Sequence, residues 1–408
     1  MQTSNTELQQ GAAISPAMDA AWKRYLEGLE ALRQRIFSTE MLWRPETHAA
    51  AHYFLMNAQA SAFTTCFAPK QTYPAFYVHS TFEPNIFTWT LPNPDFHYRW
   101  AFIDGTRRYR VWGNRGNTLW LDIQVNRSHW CDDEPTVFGN YQPEGILDAD
   151  GNFEYILSAT DPGPGKHWIK LDPTSRNNVL LIRDTHYDWV NTRGAELHIE
   201  LYDELPAGPC FLPEAELERR LDGCLRLMNF VVEHFQPHIT TNPQRTGINR
   251  FHQSNVNTKG GSHPVAVYLL LPYEIEADEA LIIDVEIPQT MYWNIHLGDV
   301  WGGTADYVQH QSCLNGAQAH IDADGHARLV LSTQDPGVPN WLDAIGCLHG
   351  IAQFRWYKTS KVNIPEVRKV KLADLHKALP AATPRVSREE RKRNIDARRT
   401  AVMRRYHY

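Results

Sequence analysis

No stretch of this 408-residue chain approaches the 18 or so consecutive apolar residues of a membrane-spanning helix. The opening MQTSNTELQQGAAISP lacks the charged start and apolar run of a signal peptide. No membrane partner is therefore expected. The six cysteines, Cys66, Cys131, Cys210, Cys224, Cys313 and Cys347, are scattered and form no C-x-x-C pair. That spacing argues against a zinc ribbon or a dense disulfide framework, and a reducing cytoplasm is the expected location. No G-x-S-x-G, dinucleotide fingerprint or kinase set is present, and Gly260-Gly261 lacks the Walker spacing. Serine hydrolase, nicotinamide enzyme and P-loop readings are disfavoured. The acidic run His129-Trp130-Cys131-Asp132-Asp133-Glu134 has no partner at metal-ligand spacing. The sequence assigns no metal ligands and leaves any cofactor unknown.

Aromatic residues, in contrast, are abundant: 13 Trp, 17 Tyr and 16 Phe. They suit pleated, half-buried surfaces and the walls of ligand pockets. The net charge of −7 conceals a basic end, with fourteen Lys and Arg against five Asp and Glu from Lys361 onward. There the basic residues alternate with acids and apolar positions, as on a solvated helix. No nucleic-acid partner is expected.

Ser15-Pro16 opens a helical pattern carried by Trp22, Tyr25, Leu26, Leu29, Leu32 and Ile36. A second helix is expected from about Pro45 to Cys66, making an N-terminal antiparallel pair. From Tyr98 the period shortens to two. Tyr109–Gly113, Thr118–Val125, Phe153–Ser158, Asn178–Arg183 and Glu196–Tyr202 read as strands. Pro213 to Gln236 returns to helical spacing, strands resume from Val265 to Lys358, and Ser387 with Glu390 marks a capped terminal helix.

The chain also repeats itself. Asp148-Ala149-Asp150-Gly151 recurs as Asp322-Ala323-Asp324-Gly325, and Asp161-Pro162-Gly163 as Asp335-Pro336-Gly337, in the same order. Thr118–Ile123 aligns with Thr290–Ile295, and His167-Trp168-Ile169 with Asn340-Trp341-Leu342. Asp-Gly serves a hairpin turn and Asp-Pro-Gly a strand break, so each copy is a run of antiparallel strands. The expected fold is mainly β with flanking helices: two related antiparallel β-sandwich units, an N-terminal helical pair and a C-terminal basic helix. The expected divisions are 1–70 helical, 71–210 first unit, 211–264 connecting helix and polar loop, 265–360 second unit, and 361–408 basic tail.

Asp278–Ile283, Tyr292–Ile295, Asp335-Pro336-Gly337 with Asn340-Trp341-Leu342, and Phe354–Tyr357 resemble a bacterial family. It is the domain-of-unknown-function family numbered twelve-fourteen. Asn93-Pro94-Asp95, Ile103-Asp104-Gly105 and Tyr109-Arg110-Val111 resemble its longer members, so the likeness covers roughly 93–357. It implies β-sandwich domains and carries no catalytic residue across. The first copy departs from the pattern at Gly165-Lys166-His167-Trp168.

Ionisable residues where the copies differ are the candidates for chemistry. Arg183, Asp184 and His186 lie on one strand pattern, which puts Arg183 on one face and Asp184 with His186 on the other. A histidine beside a carboxylate can transfer protons near neutral pH. The alternative is a surface ion pair at a sheet edge. His252 sits in the polar segment between the copies, which is equally well a plain connection. Along Tyr292–Asp299, Tyr292, Asn294 and His296 share a face opposite Trp293. The sharpest expectation is acid–base chemistry of hydrolase or lyase type on a small organic or sugar-like ligand, in an aromatic cleft between the units. His186 or His252 would move the proton, assisted by Asp184. Arg183 would hold an anion, and His167, Trp168, Tyr292, Trp293, Asn294 and His296 would contact the ligand. The alternatives are a non-catalytic carbohydrate or apolar-ligand module, and an assembly protein that forms a homo-oligomer through its basic helix.

Overall fold

The computed structural model describes residues 15–38, 48–69, 73–78, 82–83, 87–88, 90–129, 131–132, 136–175, 177–202, 212–235, 247–254 and 262–407. Helices α1 (Pro16–Ser38) and α2 (His48–Ala62) come first, and α2 runs on into a π turn at Phe63–Phe67. Residues 39–47, where the second helix was expected to begin, lie outside the described segments. The short strands β1 (Phe82–Glu83) and β2 (Phe87–Thr88) follow as an antiparallel pair.

The first unit is a sandwich of two sheets. One contains β3 (Phe96–Ile103), β5 (Leu121–Asn126), β6 (Val137–Tyr141) and β9 (Asn178–Thr185), ordered β3-β9-β5-β6. The other contains β4 (Tyr109–Asn114), β7 (Asn152–Ser158), β8 (Trp168–Lys170) and β10 (Glu196–Leu201), ordered β10-β4-β7-β8. Alternate residues of both sheets, among them Ile103, Val111, Ile123, Leu157 and Ile182, bury one core.

Helix α3 (Glu214–Phe230) leads to the second unit. There β11 (His252–Gln253), β12 (Ala266–Glu274), β14 (Thr290–Gly298), β15 (Cys313–Asn315) and β18 (His349–Thr359) form a sheet ordered β11-β12-β18-β14-β15. Its partner sheet has β13 (Glu279–Glu286), β16 (His326–Ser332), β17 (Trp341–Asp343) and β19 (Glu366–Lys371), ordered β17-β16-β13-β19. A short helix α4 (Leu375–Ala378) and the long α5 (Arg388–Tyr406) close the chain.

The duplication extends to individual bonds. β8 pairs parallel with β7, and β17 pairs parallel with β16, while the other ladders are antiparallel. The Trp168 indole donates to the Ser158 carbonyl and the Trp341 indole to that of Ser332. Asp161 accepts from the Gly163 amide as Asp335 does from Gly337. Gly151 and Gly325 have φ of 83° and 82°, the positive values their hairpin turns require.

The expected N-terminal helical pair is present, and α3 joins it in a three-helix layer. Leu32 and Ile36 of α1 and Phe54 and Ala58 of α2 pack with Cys224, Leu227 and Met228 of α3. Gly28 and Leu225 approach so closely that a Cβ on Gly28 would lie 2.8 Å from the leucine side chain. Trp22 and Leu26, read as apolar-face residues, are exposed.

Two of the six cysteines are bonded to each other. Cys66 in the π turn after α2 is bonded to Cys131 in the loop after β5. Scattered spacing gives no sign of this, because the bridge joins residues that meet only after folding.

The basic end is not all helix, nor is the helix solvated all round. β19 is an edge strand whose Lys369 and Lys371 pair with Glu279. In α5 the arginines Arg391, Arg398 and Arg405 recur every seven residues on one buried face. Arg391 binds Asp335 at 2.9 Å and the Gln311 side chain at 2.8 Å. Arg398 and Arg405 place their guanidinium groups over the Trp189 ring, 4.4 and 4.9 Å from its centroid. Helix α5 thus lies along its own chain and binds both units.

Candidate functional site

The site begins with an equivalence that the strand register makes visible. In the first unit Tyr98, Arg183 and Asp122 stand side by side on β3, β9 and β5. In the second, Tyr268, Arg355 and Asn294 stand side by side on β12, β18 and β14. Thr118 caps one row by bonding the Thr185 and Trp120 carbonyls, as Thr290 bonds those of Tyr357 and Tyr292. These rows lie on the sheet faces turned away from the sandwich cores, and the two faces meet between the units. Phe96, Trp120, Tyr292 and Tyr357 form a cluster there. The Trp120 and Tyr357 rings are 5.7 Å apart, and Phe96 lies 5.5 Å from Tyr292.

A buried acid ties this junction together. Asp95, just before β3, accepts from the Tyr292 hydroxyl at 2.5 Å, the Trp189 indole at 2.6 Å and the Asn315 amide at 2.8 Å. Burial raises its pKa, and these donors oppose the rise. Asn93 donates to the Tyr292 hydroxyl and accepts from the Asn294 amide at 2.7 Å.

The two arginines are treated differently. Arg183 donates to Gln124 at 2.7 Å and to Asp122 at 3.2 Å. Arg355 is equally buried, at 4 % exposure, but has no carboxylate partner among the described residues. It donates to His296 Nδ1 at 2.8 Å and to the Leu91 carbonyl at 2.5 Å, and its guanidinium lies over the Tyr268 ring. Burial and Arg355 hold the His296 pKa well below the ordinary histidine value. Since Nδ1 accepts from Arg355, the neutral ring carries its proton on Nε2, which has no partner among the described residues. Gln353 Oε1 and Asn294 Oδ1, on the same face, are also buried without partners. Tyr98 and Tyr268 are half-buried beside this set. Burial raises Tyr98 to about 12, which keeps its hydroxyl a donor at neutral pH.

A second cluster lies across β9 from Arg183, as alternation predicts. Asp184, His186 and His97 bring one ligand-type atom each within 4.8 Å of one another, and all three are buried. Arg99 donates to Asp184 Oδ2 at 2.9 Å, and the Ala195 amide donates to the same oxygen at 2.9 Å. Strand β9 is flanked on both sides, so Asp184 and His186 are not an edge pair.

The expected residues therefore divide. Arg183, Tyr292, Asn294 and His296 meet at the junction between the units. His252, whose pKa burial lowers, lies on the edge strand β11 of the same sheet. Asp184 and His186 belong to the separate buried cluster. Trp293 does not line the junction. It points into the second core, stacked on Phe354 with centroids 5.4 Å apart. Trp168 and His167 lie on the other sheet of the first unit, where Ile169 takes the core-facing position and Trp168 faces outward. The sequence reading missed Tyr98, Tyr268, Arg355 and His97. The sequence repeat does not signal Arg355, because its nearest anchor, Trp168 with Trp341, puts Arg183 opposite Trp356, and only the strand register pairs Arg183 with Arg355.

No family profile matches the chain, and no curated protein matches it. Solved structures do. An uncharacterised protein from Burkholderia cenocepacia is 27 % identical, with a TM-score of 0.78, over 86 % of this chain and 97 % of that one. The VPA0106 protein from Vibrio parahaemolyticus is 12 % identical, with a TM-score of 0.45, over 87 % of this chain and all of that one. The chain thus shares with the Burkholderia protein a mainly β fold of paired sheets with flanking helices.

Proposed function

We propose that this chain is an enzyme of acid–base type, a hydrolase or lyase, that binds a small organic molecule through an anionic group at the junction of its two β units. The observation that carries the reading is Arg355. A buried cation without a counter-charge is costly, and an arriving carboxylate would remove that cost. The unpartnered atoms of His296, Gln353 and Asn294 offer one donor and two acceptors beside it. Tyr98 and Tyr268 supply aromatic walls and hydroxyl donors. His252, neutral at pH 7, is the proton acceptor we assign to the cleft. Membership of the twelve-fourteen family belongs to this proposal. For location, the Cys66–Cys131 bond favours an oxidising compartment over the cytoplasm expected from cysteine spacing.

The test is a thermal-shift and calorimetric panel of small organic acids, each paired with its neutral amide. Acids should raise the melting temperature of the wild type and amides should not. Arg355→Met should abolish the difference. Equal responses to acid and amide, or none, would refute the anion site. An acid that binds but is recovered unchanged after long incubation would favour the non-catalytic binding module.

A further inference from the structure

We infer that His97, Asp184 and His186 form a binding site for one first-row divalent transition-metal ion of the zinc or iron(II) class. The inference is independent of the anion site at the junction.

The geometry comes from the sheet. His97 on β3 stands opposite Asp184 on β9, and His186 follows two residues later on the same side. Three ligands at tetrahedral angles, with bonds of about 2.1 Å, lie about 3.4 Å apart. The three atoms here lie within 4.8 Å of one another, so closing on an ion takes side-chain movement of up to about 1 Å.

The partner accounting points the same way. Among the described residues His97 Nε2 and Asp184 Oδ1 are buried with no hydrogen-bond partner, and His186 Nε2 lies 3.5 Å from Asp184 Oδ2, in residues exposed by only 8, 0 and 3 %. Two leftover atoms converging on a His–carboxylate pair need an explanation. Arg99 and the Ala195 amide occupy the other carboxylate oxygen and so fix the orientation of Asp184.

The space is kept by glycine. A Cβ on Gly194 would lie 2.7 Å from Asp184 Oδ2 and 2.8 Å from His186 Nε2. Any other residue would crowd the cluster.

The internal repeat supplies a control within the same chain. By strand register, the second unit holds Val267, Trp356 and Lys358 where the first holds His97, Asp184 and His186. The sandwich therefore folds without this triad, and its presence in one copy is not a requirement of the fold.

Two imidazoles and one carboxylate exclude the all-oxygen preference of calcium and magnesium. Arg99 pairs with Asp184, and Arg405 also faces the site, so the ion would carry an anionic ligand such as hydroxide on an open position.

The test uses the full chain purified without chelator. Metal analysis should find about one zinc or iron per chain, or the protein should take up one equivalent of cobalt(II) with a visible d–d spectrum. His97→Gln and His186→Gln should each lose at least a hundredfold in affinity, while His198→Gln, at an exposed histidine, should not. Absence of metal together with no response to zinc, iron(II) or cobalt(II) would overturn the inference. So would retention of the ion in both variants. If the variants fail to fold, an anomalous difference map of wild-type crystals soaked in zinc decides. Density between the three side chains supports the site, and density elsewhere or none refutes it.

Discussion

Arg183 and Arg355 hold the same position in the two copies, but only Arg183 lies against a carboxylate, because Asp122 of the first copy is replaced by Asn294 in the second. One substitution should transfer the pairing. Asn294→Asp would set a carboxylate beside Arg355 and cancel its free charge. The variant should bind organic acids at least tenfold more weakly in calorimetry. It should also lose about 1 kcal/mol of stability, since its new oxygen cannot donate to Asn93.

Asp95 should behave as a structural keystone. Asp95→Ala would strand the Trp189 indole inside the junction, while Tyr292 can still donate to Asn93 and Asn315 to the Tyr187 carbonyl. A stranded buried donor costs about 1–3 kcal/mol, so urea unfolding should report a loss of at least about 1–3 kcal/mol.

His296 should make the fold sensitive to mild acid. Its folded-state pKa is well below its unfolded value of about 6.5. The unfolded chain therefore takes up the proton first, and the stability that His296 contributes is full above pH 6.5 and lost as pH falls toward the folded value. The slope is at most about 1.4 kcal/mol per pH unit for one group. Chemical denaturation from pH 7.5 to 5 should be flatter for His296→Gln than for the wild type.

The Cys66–Cys131 bridge closes a loop with a sequence separation of 65. Loop-closure entropy for that length is worth about 4 kcal/mol. Reduction, or Cys66→Ser with Cys131→Ser, should lower the melting temperature, and thiol labelling under native conditions should find the pair oxidised in protein made in an oxidising compartment.

Deleting 388–408 should destabilise the fold without altering the state of assembly. The deletion strips Arg398 and Arg405 from Trp189 and Arg391 from Asp335. A loss of at least about 3 kcal/mol, or roughly 6–12 °C in melting temperature, is expected. A change in molecular mass on light scattering, without this loss of stability, would favour the assembly reading.

Local patterns were legible in the sequence and cross-strand meetings were not. The strands around Tyr109 and Leu121 announce themselves by alternation, and the Ser387–Glu390 capping box forms as read. The repeat is explicit in its Asp-Gly and Asp-Pro-Gly turns. Alternation also separated Arg183 from Asp184. It could not show that His97 is the residue opposite Asp184, because register between distant strands is set by the whole sandwich. Strand β19 escaped notice because an edge strand facing water needs few apolar residues, and its lysines read as helix. The arginines of α5 were taken as solvated, although their seven-residue spacing already marks one face.

The three-helix layer imposes an order on synthesis. Helices α1 and α2 leave the ribosome early, but α3, which covers their apolar face, ends only at Phe230. At about 5–20 residues per second, the gap from the end of α2 lasts on the order of ten to thirty seconds. During that interval the nascent chain presents Leu32, Ile36, Phe54 and Ala58 without their later cover. The first sandwich can close meanwhile, and Cys131 emerges in time to tether the waiting helices to it.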